Sequence, residues 1–275
     1  MAGGSVRAAI GYTEDTGRQP YFYANAHEKD YVPLAPVEVE IADARGMDTS
    51  LDREGFILVS HASALPDLTD MDAIARVHAG EIEQLLKDVT GADHIAMMPR
   101  GILRYSERSG QTGSTDNSHP ARFAHVDMSV SAAAAARDQS APGPDITGGR
   151  KIVRSAQYNV WRVLSAPPQD VPLALCAWPS VDEGADLIDC LAIFDPPDGS
   201  PEWSFGNYVI RHNPAHRWYY YSDMRPDEAI VFKTSESDPE RARLMPHGAF
   251  DNPLADLDAP ARVSLEMRGM AYWFE

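Results

Sequence analysis

Arg262-Val263-Ser264-Leu265-Glu266-Met267-Arg268 alternates throughout its length. Val263, Leu265 and Met267 make one apolar face, and Arg262, Ser264, Glu266 and Arg268 make a polar one. That period of two is the mark of a strand, whose successive side chains leave opposite faces. The polar face also carries chemistry. An arginine and a serine two apart on one strand face can grip a carboxylate together, the guanidinium as a fork and the hydroxyl as one more donor.

Working outward, further strands are predicted over 155–164, 172–177, 187–194, 208–212, 217–221 and 229–234, with 208–212 and 217–221 joined as a hairpin through Asn213-Pro214-Ala215-His216. Earlier in the chain, 37–41, 55–60, 94–98 and 102–105 read as strands, the last two separated by Pro99-Arg100-Gly101. One helix is predicted over 70–89, capped by Thr69 with Asp72 as its capping-box partner and stopped at Gly91. Residues 131–137 read as a short helix. Many short strands, one long helix and no strand–helix alternation predict a mainly β fold with added helices. The 275 residues are read as a single domain, 1–275, in which 1–30 form a polar N-terminal extension and 70–89 a supporting helix. Two loops, 109–118 and 138–149, are rich in Gly, Ser, Asp and Pro, as lids and plain linkers both are.

Ala124-His125-Val126-Asp127 enters next. On a strand, His125 and Asp127 share a face. Of the nine histidines, His125 alone has an acid two residues later. An imidazole and a carboxylate side by side are two ligands for a metal ion, and two His with one carboxylate suit non-haem Fe(II). A three-residue pattern is weak by itself, and a surface His–Asp hydrogen bond is the plainer reading. His247, in Pro246-His247-Gly248-Ala249-Phe250, supplies a third ligand, and the Arg262/Ser264 pair follows one strand later. Metal ligands followed by a carboxylate clamp is the order expected of an oxygenase whose co-substrate chelates iron at one end and is gripped at the other.

These segments, with Tyr158-Asn159-Val160-Trp161-Arg162, Val171-Pro172-Leu173-Ala174-Leu175-Cys176, His216-Arg217-Trp218-Tyr219-Tyr220 and Met224-Arg225-Pro226-Asp227-Glu228, run in order over the last two-thirds of the chain. Together they resemble the Fe(II)/2-oxoglutarate oxygenases that include gibberellin desaturase-like hydroxylase/desaturases and the cephem methoxylase component. The chain departs from that pattern at Val263, where the family often has an acid, and at Val163, where it often has Pro. The resemblance implies a double-stranded β-helix, the cupin-like jelly-roll barrel. It implies Fe(II) held by His125, Asp127 and His247, with 2-oxoglutarate and O2 as co-substrates, and Arg262 and Ser264 on the distal carboxylate. It further implies hydroxylation, desaturation or oxidative cyclisation of a small natural-product-like molecule, with release of succinate and CO2. Trp161, Arg162, Trp218 and Tyr219 are the expected pocket or supporting residues. Glu266 and Arg268 are expected as an ion pair flanking the site. Two other readings stay open at this point: an iron dioxygenase or isomerase of cupin type that needs no 2-oxoglutarate, and a non-catalytic jelly-roll binding module.

Composition narrows the partners. A net charge of -17 and a sequence pI near 4.8 disfavour nucleic acid and anionic membrane, which both call for a basic footprint. Cys176 and Cys190 are too few for a disulfide scaffold and are expected as buried thiols. The N-terminus leads into polar sequence, not an apolar leader, and no apolar run approaches a membrane span, so a cytoplasmic protein is expected. Sequence gives no reading of oligomeric state.

Overall fold

The computed structural model describes residues 4–111, 117–196 and 198–275. The C-terminal strand, Val263–Phe274, lies near the middle of a six-stranded sheet. It pairs antiparallel with Ile152–Val163 on one side and His94–Tyr105 on the other. Both of its faces are covered. Leu265 and Met267 pack with Ile82, Leu85 and Leu86 of the long helix, and Ser264 and Glu266 are buried on the other face. The polar face thus looks into the molecule, and the apolar face seats the helix.

The second sheet has nine strands. In spatial order they are Ser5–Thr13, Leu34–Asp43, Trp218–Tyr220, Leu173–Cys176, His247–Ala249, His125–Val126, Trp203–Ile210, Leu187–Phe194 and Tyr21–Tyr23. It curls into a half-barrel facing the six-stranded sheet, which gives the jelly-roll architecture. Neighbours in this sheet are mostly far apart in sequence, as the crossing connections of a jelly roll require.

Several local expectations are revised. Residues 94–105 form one strand, not two; its pairing with the C-terminal strand shifts between Glu266 and Arg268, and Pro99 sits at that irregularity. A bulge is where a strand tolerates a residue with no N–H to donate. Trp203–Ile210 and Trp218–Tyr220 are no hairpin: three strands separate them in the sheet. The stretch 5–13, read as polar, is a strand burying Val6, Ala8, Ile10 and Tyr12. Arg7 and the paired alanines blur its alternation. It folds back over the ligand-bearing strand at Gly11, where an added Cβ would lie 2.3 Å from the Arg122 carbonyl oxygen, so only glycine fits. Residues 112–116 of loop 109–118 lie outside the described residues, and loop 138–149 contains a helical turn, Pro144–Thr147.

The long helix begins at Asp70, not Thr69: the Asp70 carboxylate accepts from the backbone N–H groups of Asp72 and Ala73, while Thr69 turns to Asp67. Gly91 ends it in the left-handed conformation. Between lies a π-helical turn, Ile74–His78, whose extra residue rotates Val77 outward and His78 inward. The His78 ring is completely buried, with Nδ1 2.6 Å from Glu81 Oε2 and Nε2 without a partner. Adding a proton there would bury an unpaired donor beside Arg162. Burial pushes His78 down to about 4; the Glu81 hydrogen bond opposes this, and Arg162 and His61 add to it. The folded state therefore binds this proton later than the unfolded chain as pH falls. The resulting stability is present in full above about pH 6.5 and is lost on descending to about pH 4, about 3 kcal/mol in total. Urea melts across that window should show a steeper loss in wild type than in His78→Gln, which keeps a donor to Glu81 but cannot titrate. Equal slopes would refute this.

Candidate functional site

His125–Val126 is a short strand between His247–Ala249 and Trp203–Ile210. Its register sets His125 directly beside His247, which is in turn beside Leu175. Adjacent strands in register put paired side chains on one face, and the two rings lie 4.4 Å apart. Asp127 follows two residues on. Its Oδ1 is 3.9 Å from His125 Nε2, and its Oδ2 is 3.9 Å from His247 Nε2. One donor atom from each of the three falls within 4.8 Å of the other two, and all three side chains are buried.

Protonation suits a metal. His125 Nδ1 lies 3.0 Å from the Phe123 carbonyl oxygen, and His247 Nδ1 lies 3.3 Å from that of Met245. A carbonyl can only accept, so each Nδ1 is the donor and each Nε2 is turned toward Asp127. Burial, with His247 close by, pushes His125 down to about 3, so its ring is neutral at physiological pH. For Asp127, burial works against ionisation, but Arg268, the two histidines and Asn159 outweigh it and hold the carboxyl well below its ordinary value. Arg268 Nη2 donates to Asp127 Oδ1 at 2.9 Å and Asn159 Nδ2 donates to Oδ2 at 2.7 Å. Arg268 also pairs with Glu266 at 2.6 Å, the ion pair expected from sequence. Asn159 stands cross-strand from Arg268, and Trp161 from Glu266, so one face of two paired strands builds this support.

Arg262 lines the same cavity, along with Arg104, Trp161 and Leu173. Its Nη1 donates to the Val171 carbonyl oxygen at 2.7 Å, its backbone N–H donates to Asp170 at 2.8 Å, and its Nε has no partner. The guanidinium carbon is 5.5 Å from the centre of the Trp161 ring. Burial, then the nearby Arg104, pulls Arg262 down to about 9, which still leaves it cationic at neutral pH. Ser264 shares its face and is equally buried, with an unpartnered Oγ, though it is not a wall of the cavity. A buried cation with a free N–H near a free hydroxyl has its hydrogen bonds left to make, and an anion satisfies both. The donor set therefore fits Fe(II), and the unpartnered Arg262 and Ser264 atoms fit a carboxylate of 2-oxoglutarate.

The remaining expected residues separate. Trp161 is a cavity wall at the Arg262 end. Arg162, the next residue on the strand, faces the other way: its Nη2 is 2.6 Å from His61 Nδ1, near the long helix. Trp218 lies on the reverse face of the nine-stranded sheet, packed with Ala124 and Val126, and donates to Tyr12 at 2.6 Å. Tyr219 packs with Phe56 and Leu175 inside the barrel, away from the cavity walls. Arg162 and Trp218 are therefore not pocket residues; strand alternation sends them to the opposite face from Trp161 and His125. Arg104 and Asn159 were missed as site residues. Their signal is positional: Arg104 sits between Leu103 and Tyr105, and Asn159 between Tyr158 and Val160, each a polar residue inside an apolar strand. Cys176 and Cys190 are buried free thiols that burial pushes up to about 12, and so are unreactive.

Comparison with known proteins gives the following. A family model described as Oxidoreductase/YMDC permease-like domain matches residues 10–272. Alpha-ketoglutarate-dependent dioxygenase phiK of a fungal species (strain ATCC 74256) is 30% identical over 240 residues, 84% of this chain and 82% of the relative. Hydroxylase/desaturase CTB9 of Cercospora beticola is 30% identical over 253 residues, 86% of this chain and 76% of the relative. Among solved structures, the iron and alpha-ketoglutarate-dependent endoperoxidase NvfI is similar in fold. Two of its conformations give TM-scores of 0.82 and 0.78 at 22% and 21% identity, each covering 99% of both chains. Among the described residues, no helix is long and apolar enough to cross a membrane.

Proposed function

The chain belongs to the Fe(II)/2-oxoglutarate-dependent dioxygenases that include hydroxylase/desaturases, and on that premise we propose that His125, Asp127 and His247 hold the iron while Arg262, with Ser264, holds the distal carboxylate of 2-oxoglutarate. The enzyme is an oxidoreductase using Fe(II), 2-oxoglutarate and O2 on a small molecule. Its substrate is a natural-product-like compound that is hydroxylated, desaturated or cyclised. When bound, the iron, 2-oxoglutarate and O2 together supply the power to remove a hydrogen atom from a C–H bond, with release of succinate and CO2.

The chain's own residues supply the rest. Arg268 and Asn159 occupy one oxygen each of Asp127, which fixes the carboxylate plane and keeps it anionic. The carbonyls of Phe123 and Met245 fix both imidazoles with Nε2 inward. Arg262 would hold the distal carboxylate of the co-substrate, and Trp161 walls the cavity at that end. The observation that carries the reading is the convergence of two inward-facing Nε2 atoms and one anchored carboxylate, in one cavity with a buried arginine that has an N–H to spare. Reconstituted with Fe(II) and ascorbate, the protein is expected to convert 2-oxoglutarate slowly to succinate under air even without substrate. His247→Ala should abolish that turnover. Oxygen consumption with no succinate would overturn the assignment of the co-substrate site.

A further inference from the structure

The inner face of the nine-stranded sheet does not end at the three candidate ligands. Val209 pairs with His125, so Asn207, Phe205 and Trp203 follow on the same face at two-residue steps. Across from them on the next strand, Phe194 pairs with Trp203 and Ala192 with Phe205. Beyond that, Phe22 pairs with Ala192. Phe194 and Trp203 stack with ring centres 4.2 Å apart and planes within 9°, and Phe205 joins them at 5.5 Å from Phe194. Trp203 is 53% exposed. The rings connect back to the site: Phe22 lies 5.2 Å from Phe123, and Phe123 lies 5.2 Å from His125. Ala192 is the small residue in the row, paired with Phe205 on one side and Phe22 on the other. Asn207, between the aromatic group and the ligand strand, is buried, and its Oδ1 has no partner.

We propose that Trp203, Phe205, Phe194 and Phe22 form a shelf that seats the flat, apolar ring portion of the substrate, with Asn207 accepting a hydrogen bond from a hydroxyl or N–H nearer the reacting end. The proposal rests on the oxygenase reading above and names the substrate class for that site. A stack of rings with a half-exposed end member, Trp203, offers apolar aromatic surface to one more ring, and a planar ring system is the complementary shape. A buried acceptor without a donor calls for a ligand that brings one. The dimensions agree: Trp203 to Val209 spans about 20 Å of strand, long enough for a substrate of several fused or linked rings whose far end reaches the iron. The aromatic residues anticipated from sequence do not serve this end, since Trp161 belongs to the Arg262 side and Trp218 to the reverse face.

1-Pyrenemethanol, a flat ring system with one hydroxyl donor, tests this by fluorescence titration of the anaerobic Fe(II)/2-oxoglutarate enzyme. The visible band of the iron chelate is recorded in parallel. Wild type is expected to bind the probe. Trp203→Ala and Phe205→Ala should each weaken it about tenfold, Trp203→Phe should retain most of it, and Asn207→Leu should weaken pyrenemethanol but not pyrene. The chelate band should persist in all four variants. Probe affinity unchanged in both alanine variants would overturn the proposal. So would a Trp203→Ala protein that changes its oligomeric mass with no change in probe affinity, which would make the shelf a contact between copies. Loss of the chelate band in wild type, with probe binding intact, would instead remove the oxygenase reading and leave the shelf standing.

Discussion

Arg268→Ala is expected to weaken Fe(II) binding by roughly 10–100-fold and to destabilise the fold by about 3–5 kcal/mol. Arg268 is deep in the barrel, between the carboxylates of Asp127 and Glu266. Without it, two buried acids face each other across a gap, one of them a proposed metal ligand. They would answer by taking up a proton, and a protonated Asp127 is a poor ligand. Asn159 alone would then hold the Asp127 carboxylate, leaving its plane free to turn. Arg268→Lys keeps the charge but loses the fork that reaches both acids, so it should recover stability better than metal affinity. Anaerobic calorimetry with Fe(II) and urea melts separate the two effects. A variant that unfolds more readily yet binds Fe(II) as wild type does would show that Arg268 supports the barrel and not the ligand.

Arg262→Ala is expected to raise the dissociation constant for 2-oxoglutarate at least thirtyfold, from about 2–5 kcal/mol for removing one partner of a buried charged hydrogen bond. Fe(II) affinity measured without co-substrate should stay within about twofold, because the hydrogen bonds of Arg262 go to Val171 and Asp170 and not to the three ligands. Arg262→Lys should recover only part of the loss. Arg104 lines the same cavity and stands cross-strand from Ser264, so it is the residue positioned to take up the carboxylate in part. An equal fall in iron and 2-oxoglutarate affinity would mean that Arg262 supports the barrel wall and does not select the co-substrate.

Alternation made most of the strands legible, and with them the face shared by His125 and Asp127 and the one shared by Arg262 and Ser264. It could not say which face looks inward, because in this barrel both faces are buried. Trp161 and Arg162 are adjacent and equally buried, yet one walls the cavity and the other serves the helix. The same ambiguity misplaced Trp218. Long-range pairing was illegible for another reason. In a jelly roll, His125 meets His247 across a large sequence separation, and Trp203–Ile210 ends far from the strand that follows it in sequence. The loop after Ile210 looks like a hairpin turn because its residues turn the chain, but turn chemistry does not name the next partner. The π turn that buries His78 also had no signal, since the extra residue shifts the helical phase without changing composition. The aromatic shelf was hidden by its own irregularity: Phe194, Trp203 and Phe205 come together only through the pairing of two strands.

The central claim is that His125, Asp127 and His247 hold iron that 2-oxoglutarate chelates, with Arg262 at its far end. An anaerobic titration of the metal-free protein with Fe(II) and then 2-oxoglutarate, following the visible charge-transfer band of the chelate, tests it most directly. The account predicts a band in wild type, none in Asp127→Ala, and in Arg262→Ala a band that forms only at much higher 2-oxoglutarate. A band of undiminished strength in Asp127→Ala, or iron binding by wild type with no band at all, would contradict it.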